Sequence, residues 1–462
     1  MPSSRLPRSI VPAADPPGLG RLTDLSAADP FLLMPDLHQR DGAPIAGTLS
    51  LAEATELSGD RWLGIFGADD GGFLAAPFGL DDGKPTRSQP GDGAAVALID
   101  RLASGRPDPS SGFRFVSFVR DGSRGVGGEA IERPMLVDQT HESVVVDDHA
   151  VVKWAVRAEP TPAPVLIAHL RAAGFQQMPE PWGFVTWCDG SNGSDQADQL
   201  LVASVVEYLP GASDGWTWAV NDAADFAARG ATLDSSVAGI AAAGPVVADM
   251  HVAMATPTDV LSTPESLAGH AELVGWRDLA LALLDEAIES VDGPEGARLQ
   301  TLRPKIVEVI EQLAGIGQTM TIPVHGDLHV GQALRWDGGL ALGDFDGNPV
   351  LPVAARLSAQ PAARDIAGML QSIDHVGRVV LRRVDGAKPD RVREWIDAAQ
   401  KLFLHGYRLR LAECGRDSLL DDRLLLAFQV EQECREFLYA VRHLPRWRYV
   451  PDQALQALFG RE

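Results

Sequence analysis

The stretch from Val324 to Gly347 constrains this chain more than any other, because it places two carboxylates after two short apolar segments. It reads V-H-G-D-L-H-V-G-Q-A-L-R-W-D-G-G-L-A-L-G-D-F-D-G. Asp327 follows the first segment, Gln332 lies five residues later, and Asp344 follows the second. Phosphoryl transfer needs a carboxylate that orients the acceptor hydroxyl and oxygen ligands that hold Mg²⁺ on the nucleotide phosphates. The order and spacing of these residues therefore predict a phosphotransferase.

A zinc site is an alternative for the same stretch, because His325 and His329 lie four residues apart. A zinc-protease motif holds its two histidines on one face of a regular helix. Pro323 and Gly326 favour a loop at this point instead. The local sequence therefore favours phosphoryl transfer over zinc chemistry.

Length and cysteine content fit an intracellular enzyme. The chain has 462 residues, enough for two or three domains at about 150 residues each. Its three cysteines are an odd number without metal-ligand spacing, so neither a disulfide framework nor a zinc cluster is predicted. The first 20 residues lack the apolar segment of a secretory signal. We therefore predict a cytoplasmic protein.

Charge and hydropathy bear on the partners of the protein. A formal net charge of −23 repels nucleic-acid phosphates and anionic lipids, so neither partner is expected. The longest apolar stretch, residues 237–255, is interrupted by Gly244, Pro245 and Asp249. It predicts a buried helix or helix pair rather than a membrane span.

Hydrophobic periodicity divides the chain into a β-rich first part and a helical second part. Short apolar segments separated by Gly and Asp predict strands up to about residue 209, and helical periodicity dominates afterwards. This pattern predicts an α+β fold with two lobes. The predicted ranges are a disordered leader at 1–20, a small β-rich module at 21–115, an N-lobe at 116–209 and a helical C-lobe at 210–462.

Lys153 is unusual among the five lysines of the chain because it lies inside an apolar strand, Ala-Val-Val-Lys-Trp-Ala-Val. Such a lysine normally has an anionic partner, and a nucleotide phosphate would serve. An edge-strand lysine that faces water is the alternative. The last buried strand ends just before Pro210, so we predict that the chain crosses between the lobes at 206–209. The backbone there, at Val206, Glu207 and Leu209, is predicted to contact the nucleotide base.

Three segments together resemble the aminoglycoside-phosphotransferase-like branch of the protein-kinase-like fold, and within it the maltokinases and the related bacterial glucosamine kinases. They are V-H-G-D-L-H-V-G-Q-A-L, G-D-F-D-G-N-P and A-A-R-D-I-A-G-M-L-Q-S. The resemblance extends from about Glu132 to the C-terminus, and it implies ATP and Mg²⁺ as cofactors. It also implies that the β-rich module at 21–115 is an added N-terminal cap domain. It implies the following roles: Asp327 as catalytic base, Gln332 and Asp344 as Mg²⁺ ligands, and Lys153 and Ser143 at the ATP phosphates.

The segment at 429–452 resembles the signature of the glucosamine kinases. It reads Q-V-E-Q-E-C-R-E-F-L-Y-A-V-R-H-L-P-R-W-R-Y-V-P-D, and its periodicity places Gln429, Glu433 and Glu436 on one face of a helix. Carboxylates suit a ligand with hydroxyl and ammonium groups, because they accept charge-assisted hydrogen bonds. We predict that these three residues and His329 bind a sugar. A solvated acidic helix face is the alternative.

These observations predict an ATP-dependent kinase that phosphorylates D-glucosamine at its 6-hydroxyl, giving glucosamine 6-phosphate. A maltokinase and an aminoglycoside phosphotransferase are alternatives within the same class. A catalytically silent nucleotide-binding module is the alternative from another class, because the helix at 163–173 lacks the glutamate that pairs with the kinase lysine. The expected partner is a small amino sugar, and the sequence leaves open whether the protein is a monomer or a dimer.

Overall fold

The computed structural model describes residues 49–69, 71–81, 84–105, 111–119, 130–135, 142–189, 199–348 and 351–460. The predicted leader and the beginning of the predicted cap lie outside these residues. The chain forms two compact units. The first comprises the described residues up to Glu159 together with Trp182–Val205, and the second comprises Pro160–Pro181 together with the described residues from Val206 onward.

The first unit is built on a ten-stranded sheet. Its strands are β1 (Ser50–Ser58), β2 (Arg61–Gly67), β3 (Phe73–Asp81), β4 (Lys84–Arg87), β5 (Phe113–Ser117), β6 (Glu132–Pro134), β7 (Glu142–Val146), β8 (Ala150–Pro160), β9 (Pro181–Trp187) and β10 (Leu200–Glu207). The main order is β1-β2-β3-β8-β10-β9-β5, while β4 pairs with β3, β7 with β8, and β6 with β7. Helix α1 (Ala94–Ser104) buries its apolar face in the same unit.

Strands β7 and β8 form an antiparallel hairpin with a short turn. Asp147 and Asp148 have φ angles of 50° and 54°, and the amide of His149 donates to the carbonyl of Val146 at 2.9 Å. A turn with two successive positive φ angles matches the twist of an antiparallel pair, and aspartate tolerates this conformation better than most residues. Asp147 and Asp148 therefore form the tight turn that joins β7 to β8.

The predicted cap and N-lobe contribute strands to one sheet and side chains to one core. Phe73 and Leu74 of β3 pair with Ala158 and Arg157 of β8. Leu63 and Ile65 from the cap segment are buried in the same cluster as Val144 and Trp154 from the N-lobe segment. Glu53 adds a polar link, because its carboxylate accepts from the amide of Gly112 and from Trp187 Nε1, each at 2.7 Å. The boundary predicted at residue 115 coincides with no break in the sheet, and it stays a prediction.

The second unit is mainly helical. Its helices are α2 (Ala163–Ala172), α3 (Gly215–Ala228), α4 (Leu233–Met254), α5 (His270–Ser290), α6 (Gly293–Glu311), α7 (Val353–Arg356), α8 (Ala363–Arg383), α9 (Pro389–Glu413), α10 (Leu425–His443) and α11 (Tyr449–Phe459). Two short antiparallel pairs accompany them: β11 (Ser266–Ala268) with β12 (Thr319–Thr321), and β13 (Ala333–Trp336) with β14 (Gly339–Leu342).

Helix α2 belongs to the second unit, although the sequence analysis assigned it to the N-lobe. Its fully buried His169 explains this position. The ring nitrogen Nε2 lies 3.0 Å from the carbonyl of Met254, and Nδ1 lies 2.7 Å from the hydroxyl of Thr258. A buried imidazole with both nitrogens engaged ties α2 to the end of α4.

Helix α4 is the one helix in the described part of the chain that is long and apolar enough to cross a membrane. It is a core helix here, because it packs extensively against α9. Gly244 allows this close approach, since a Cβ atom at that position would lie only 2.3 Å from the carbonyl oxygen of Phe403. Asp249 pairs with Arg410 of α9 at 2.7 Å. The prediction of a buried helix is confirmed.

Candidate active site

The second unit contains a cleft of about 640 Å³, within the range typical of small-molecule sites. It is lined by residues from α3, from α8, from the stretch Val324 to Gly347 (the catalytic stretch) and from the segment at 429–452 (the C-terminal signature). The lining residues that bear on function are Trp216, Gly326, Asp327, His329, Asn348, His375, Arg383, Gln432, Arg435, Glu436, Tyr439 and Trp447. The catalytic stretch and the C-terminal signature, more than 80 residues apart in the chain, thus line one cavity.

Asp365, at the start of α8, fixes the loop that carries Asp327 through hydrogen bonds to its backbone. Asp365 accepts from the backbone amides of His325 at 2.8 Å and Gly326 at 2.9 Å. It also accepts from Nε2 of the buried His251 at 3.1 Å, whose Nδ1 lies 2.8 Å from the hydroxyl of Tyr407. Burial alone would raise the pKa of Asp365, but the hydrogen bonds and positive field of the histidines hold this pKa below its ordinary value. Asp365 is therefore ionised and fixes the loop.

Asp327 is half-buried in the cleft, and Asn348 orients it. Asn348 Nδ2 donates to Asp327 Oδ1 at 2.8 Å. Loss of hydration raises the pKa of Asp327, whereas the nearby His329 and His325 act in the opposite direction. A carboxylate with a raised pKa and one oxygen held by an amide is suited to accept a proton through its other oxygen. The sequence analysis did not single out Asn348, although it lies in the quoted G-D-F-D-G-N-P segment.

Gln332 and Asp344, the two predicted Mg²⁺ ligands, lie side by side. Gln332 Nε2 is 3.4 Å from Asp344 Oδ2, and Asp344 is exposed. Rotation of the amide by 180° places its oxygen beside the carboxylate, so the pair can offer oxygens to a cation. Carboxylate and amide oxygens are ligands that Mg²⁺ accepts. Asp344 has a φ angle of 66°, an uncommon value for a residue other than glycine and of a kind often found at functional sites.

The two histidines of the catalytic stretch are engaged with the chain itself. His325 is fully buried, and its Nε2 lies 2.9 Å from the carbonyl of Gly343. His329 lines the cleft, as a sugar ligand should, but its Nδ1 accepts from the amide of Gly331 at 3.0 Å, and its Nε2 lies 3.2 Å from Gln332 Nε2. The described residues contain no cluster of three or more metal-binding side chains of the His, Cys, Asp and Glu types. The zinc alternative therefore gains no support.

Lys153 and Ser143 lie opposite each other in the β7–β8 ladder of the first unit. Directly opposed residues of an antiparallel pair project from the same face of the sheet. Lys153 is half-buried and Ser143 is buried. Ser143 lies within β7, four residues before the turn residue Asp147. The pairing brings together two residues predicted to contact the ATP phosphates.

The predicted crossing segment begins where the second unit begins again, at Val206. Val206 and Glu207 end β10, and Leu209 is buried. The amide of Glu207 donates to the carbonyl of Glu180 at 2.8 Å. That amide is therefore engaged, and contacts with a nucleotide base at Val206, Glu207 and Leu209 remain predictions.

The C-terminal signature forms α10 and the segment after it. Only one of its three predicted sugar ligands lines the cleft. Glu436 lines the cleft and accepts from Gln432 at 3.1 Å. Glu433 is fully buried and is not among the lining residues, while Gln429 lines a second cavity. Helical spacing places the three on one side of the helix, but α8 covers part of that side. Gln432 and Arg435, which were not among the predicted ligands, line the cleft from the same helix.

The fold and the site define a protein-kinase-like phosphotransferase, with a β-rich N-terminal unit, a helical C-terminal unit, and an aspartate and candidate metal ligands in the order predicted for that class. No protein-family model matches the chain. It is 44% identical over 440 residues to a glucosamine kinase of Streptacidiphilus jiangxiensis, covering 94% of this chain and 97% of that relative. The chain belongs to the family of glucosamine kinases.

Further relatives agree with this assignment. A glucosamine kinase of Mycolicibacterium smegmatis is 40% identical over 407 residues, covering 87% of this chain and 96% of that relative. A solved glucosamine kinase in complex with glucosamine, ADP and inorganic phosphate is 42% identical, with a TM-score of 0.77 over 94% of this chain and 98% of that one. Another crystal form of a glucosamine kinase gives a TM-score of 0.80 at 42% identity, covering 95% of this chain and 99% of that one. The resemblance noted in the sequence is confirmed.

Proposed function

We propose that the protein transfers the γ-phosphoryl group of ATP to the 6-hydroxyl of D-glucosamine, giving glucosamine 6-phosphate and ADP. The observation that carries this proposal is identity of 40% to 44% to glucosamine kinases over nearly the whole chain. The solved relative that holds glucosamine together with ADP and inorganic phosphate supports the same substrates. The net charge of the protein, −23, disfavours nucleic-acid and anionic-membrane partners. We also propose that the activity is cytoplasmic.

In this proposal Asp327 is the catalytic base. Asn348 holds one carboxylate oxygen at 2.8 Å, which leaves the other to accept a hydrogen bond from the attacking hydroxyl. Asp327 orients that hydroxyl during attack and takes its proton late, as the catalytic aspartate of kinases does. Asp365 keeps the loop in place by binding two of its backbone amides.

Gln332 and Asp344 would hold Mg²⁺, which would neutralise charge on the β- and γ-phosphates when bound. Their proximity and their oxygen donors support this assignment. Lys153 and Ser143 retain their predicted role at the ATP phosphates, supported by their opposition on one face of the β7–β8 ladder.

We assign recognition of the amino sugar to Glu436, with Gln432 beside it. A half-buried carboxylate in the cleft suits an ammonium group, because charge-assisted hydrogen bonds are stronger where water is partly excluded. Trp216 and Trp447 also line the cleft, with ring centroids 6.0 Å apart in an edge-on arrangement. Such aromatic walls suit the apolar faces of a pyranose ring.

The direct test is ATP consumption with Mg²⁺ and a panel of acceptors, with Asp327→Ala as the blank. The panel contains glucosamine, N-acetylglucosamine, glucose, maltose and kanamycin. Turnover that favours glucosamine over glucose would support recognition of the free amine. Preference for maltose or kanamycin would replace the substrate but keep the class, whereas ATP binding without any phosphorylated product would favour a silent nucleotide-binding module.

Asp344→Asn is expected to lower kcat by about 10²-fold and to raise the Mg²⁺ concentration that gives half-maximal rate. Loss of one ionised oxygen ligand weakens charge stabilisation at the phosphates. The measurement is a Mg²⁺ titration of the initial rate at saturating ATP and glucosamine. Asp337→Asn, in the exposed turn between β13 and β14, is the matched control. An unchanged Mg²⁺ dependence in Asp344→Asn would remove this residue from the metal site.

A further inference from the structure

A row of hydrogen bonds connects the cleft to a second cavity of about 340 Å³ in the same unit. His375 of α8 lines the cleft, and its Nε2 lies 2.9 Å from Glu433 Oε1. Gln371 donates to the same oxygen, and Gln429 Nε2 donates to Gln371 Oε1 at 2.8 Å. Gln371 and Gln429 both line the second cavity. Glu433 thus accepts from both His375 and Gln371, and Gln429 is one hydrogen bond further from the cleft.

This arrangement fixes the hydrogen positions on His375. An ionised carboxylate only accepts hydrogen bonds, so Nε2 must carry the hydrogen that points at Glu433. Among the residues that the structure describes, Nδ1 of His375 has no hydrogen-bond partner. Because the ring lines the cleft, Nδ1 is the nitrogen left for a ligand there.

The charges around His375 decide whether Nδ1 donates or accepts. Glu433 and Glu436 face it from α10. Asp374 and Arg378 of its own helix neutralise each other at 2.8 Å. Arg383 from α8 and Arg435 from α10 also line the cleft. Burial would lower the pKa of His375, but the charge of Glu433 and its hydrogen bond raise this pKa to about 9. Burial also raises the pKa of Glu433, while His375 and Gln371 act in the opposite direction. With Glu433 ionised and hydrogen-bonded to the ring, His375 is an imidazolium at neutral pH, and Nδ1–H is a donor.

We propose that His375 is a further substrate-binding residue, whose Nδ1–H donates to a hydroxyl oxygen of the acceptor sugar. Glu433, Gln371 and Gln429 are positioning residues that act through it. The inference rests on the proposed function and deepens it. An imidazolium repels an ammonium group and favours an oxygen acceptor, whereas the carboxylate of Glu436 does the reverse. Together the two side chains would set the orientation of an amino sugar in the cleft.

The proposal gives roles to the two predicted sugar ligands that do not line the cleft. Gln429 and Glu433 belong to the signature segment, yet neither is among the residues that line the cleft. Each is one or more hydrogen bonds behind His375. Their effect on the sugar would then be indirect, through the position and charge of one ring.

Glu433→Gln is the test, because glutamine keeps an acceptor oxygen for His375 Nε2 but removes the charge. The pKa of His375 is then expected to fall from about 9 towards the ordinary value of about 6.5. Since binding requires the protonated ring, affinity is lost as pH rises through that lowered pKa. We expect kcat/KM of the variant relative to wild type to be near one at about pH 6 and to fall about tenfold above pH 8.

The ratio of variant to wild type is used because titration of the substrate amine then cancels. Glu431→Gln is the matched control: it removes another fully buried carboxylate from the same helix, one that pairs with Arg364 and Arg435 and not with His375. Its ratio should not change with pH. A pH-independent ratio for Glu433→Gln as well would reduce Glu433 to a structural role and overturn the proposal.

A second experiment tests the proposal without Glu433→Gln, in case that variant folds poorly. Wild type and His375→Asn are compared on glucosamine and on analogues that lack the hydroxyl at C1, C3 or C4. For one analogue, the loss caused by His375→Asn should disappear, because the bond is already missing. An equal loss on every analogue would contradict contact with any of these hydroxyls. Absence of wild-type turnover on glucosamine would instead count against the proposed function, so the two failures are distinguishable.

Discussion

Asp327→Asn is expected to lower kcat for glucosamine phosphorylation by about 10²- to 10⁴-fold, the usual contribution of a positioned general base. Asparagine can still accept the hydrogen bond from Asn348, so the loop should keep its shape. What is lost is the capacity to take the proton of the attacking hydroxyl. KM for ATP should change little, because Asp327 is proposed to contact the acceptor rather than the nucleotide. The measurement is the steady-state rate of ADP formation.

The control for this experiment is Asp385→Asn, an exposed aspartate between α8 and α9. Thermal unfolding of the Asp327 variant should occur at the same temperature as that of wild type or slightly above it. The reason is that a half-buried carboxylate with a raised pKa is costly to keep ionised. A variant with near-wild-type turnover would show that another group accepts the proton, and it would withdraw the central assignment of the site.

Asp365→Ala is expected to lower the free energy of unfolding of the helical unit by about 3–5 kcal/mol, and to lower activity along with it. The substitution leaves two backbone amides, those of His325 and Gly326, without their acceptor. It also leaves His251 Nε2 unpaired in the core. Buried donors without partners carry a large desolvation cost. Urea denaturation monitored by tryptophan fluorescence gives the measurement.

The pH dependence of stability tests whether Asp365 stabilises the fold through its negative charge or through packing alone. Its pKa is lowered in the folded protein, so its contribution is complete above about pH 4, the ordinary range of the group. The contribution is lost as pH falls through the lowered pKa. The stability difference between wild type and Asp365→Asn should therefore be constant from neutral pH to about pH 5 and shrink below about pH 4. A difference that persists unchanged in acid would contradict an ionised Asp365.

The geometry of the catalytic stretch was predictable because the residues that form it are close in the sequence. Asp327, Gln332 and Asp344 lie within 18 residues of one another. The turn and hairpin that bring the last two together are encoded in the same segment. Asn348 was within reach of the same reasoning, since it follows Asp344 by four residues. The sequence did not indicate that its amide, rather than water, would hold Asp327.

The sugar side of the cleft was less predictable, because it depends on how two distant helices pack. The periodicity of α10 identified a polar face, but it could not tell which part of that face α8 covers. Glu433 is buried by its contact with His375, 58 residues earlier in the chain, while Glu436, three residues further on, remains in the cleft. His375 carried no motif that would have singled it out. The same limit applies to α2, whose place in the second unit depends on the partners of His169 near the end of α4.

The sheet shared by the predicted cap and the N-lobe bears on how this enzyme can be divided. A chain shortened to begin after residue 115 would lose β1 to β4 and most of β5, and it would expose the edge of β8 where Phe73 and Leu74 now pair. Unpaired strand edges recruit other chains and promote aggregation. The N-terminal segment is therefore not an independent module that can be exchanged between kinases. In evolution and in protein engineering alike, it has to change together with the strands that carry Ser143 and Lys153.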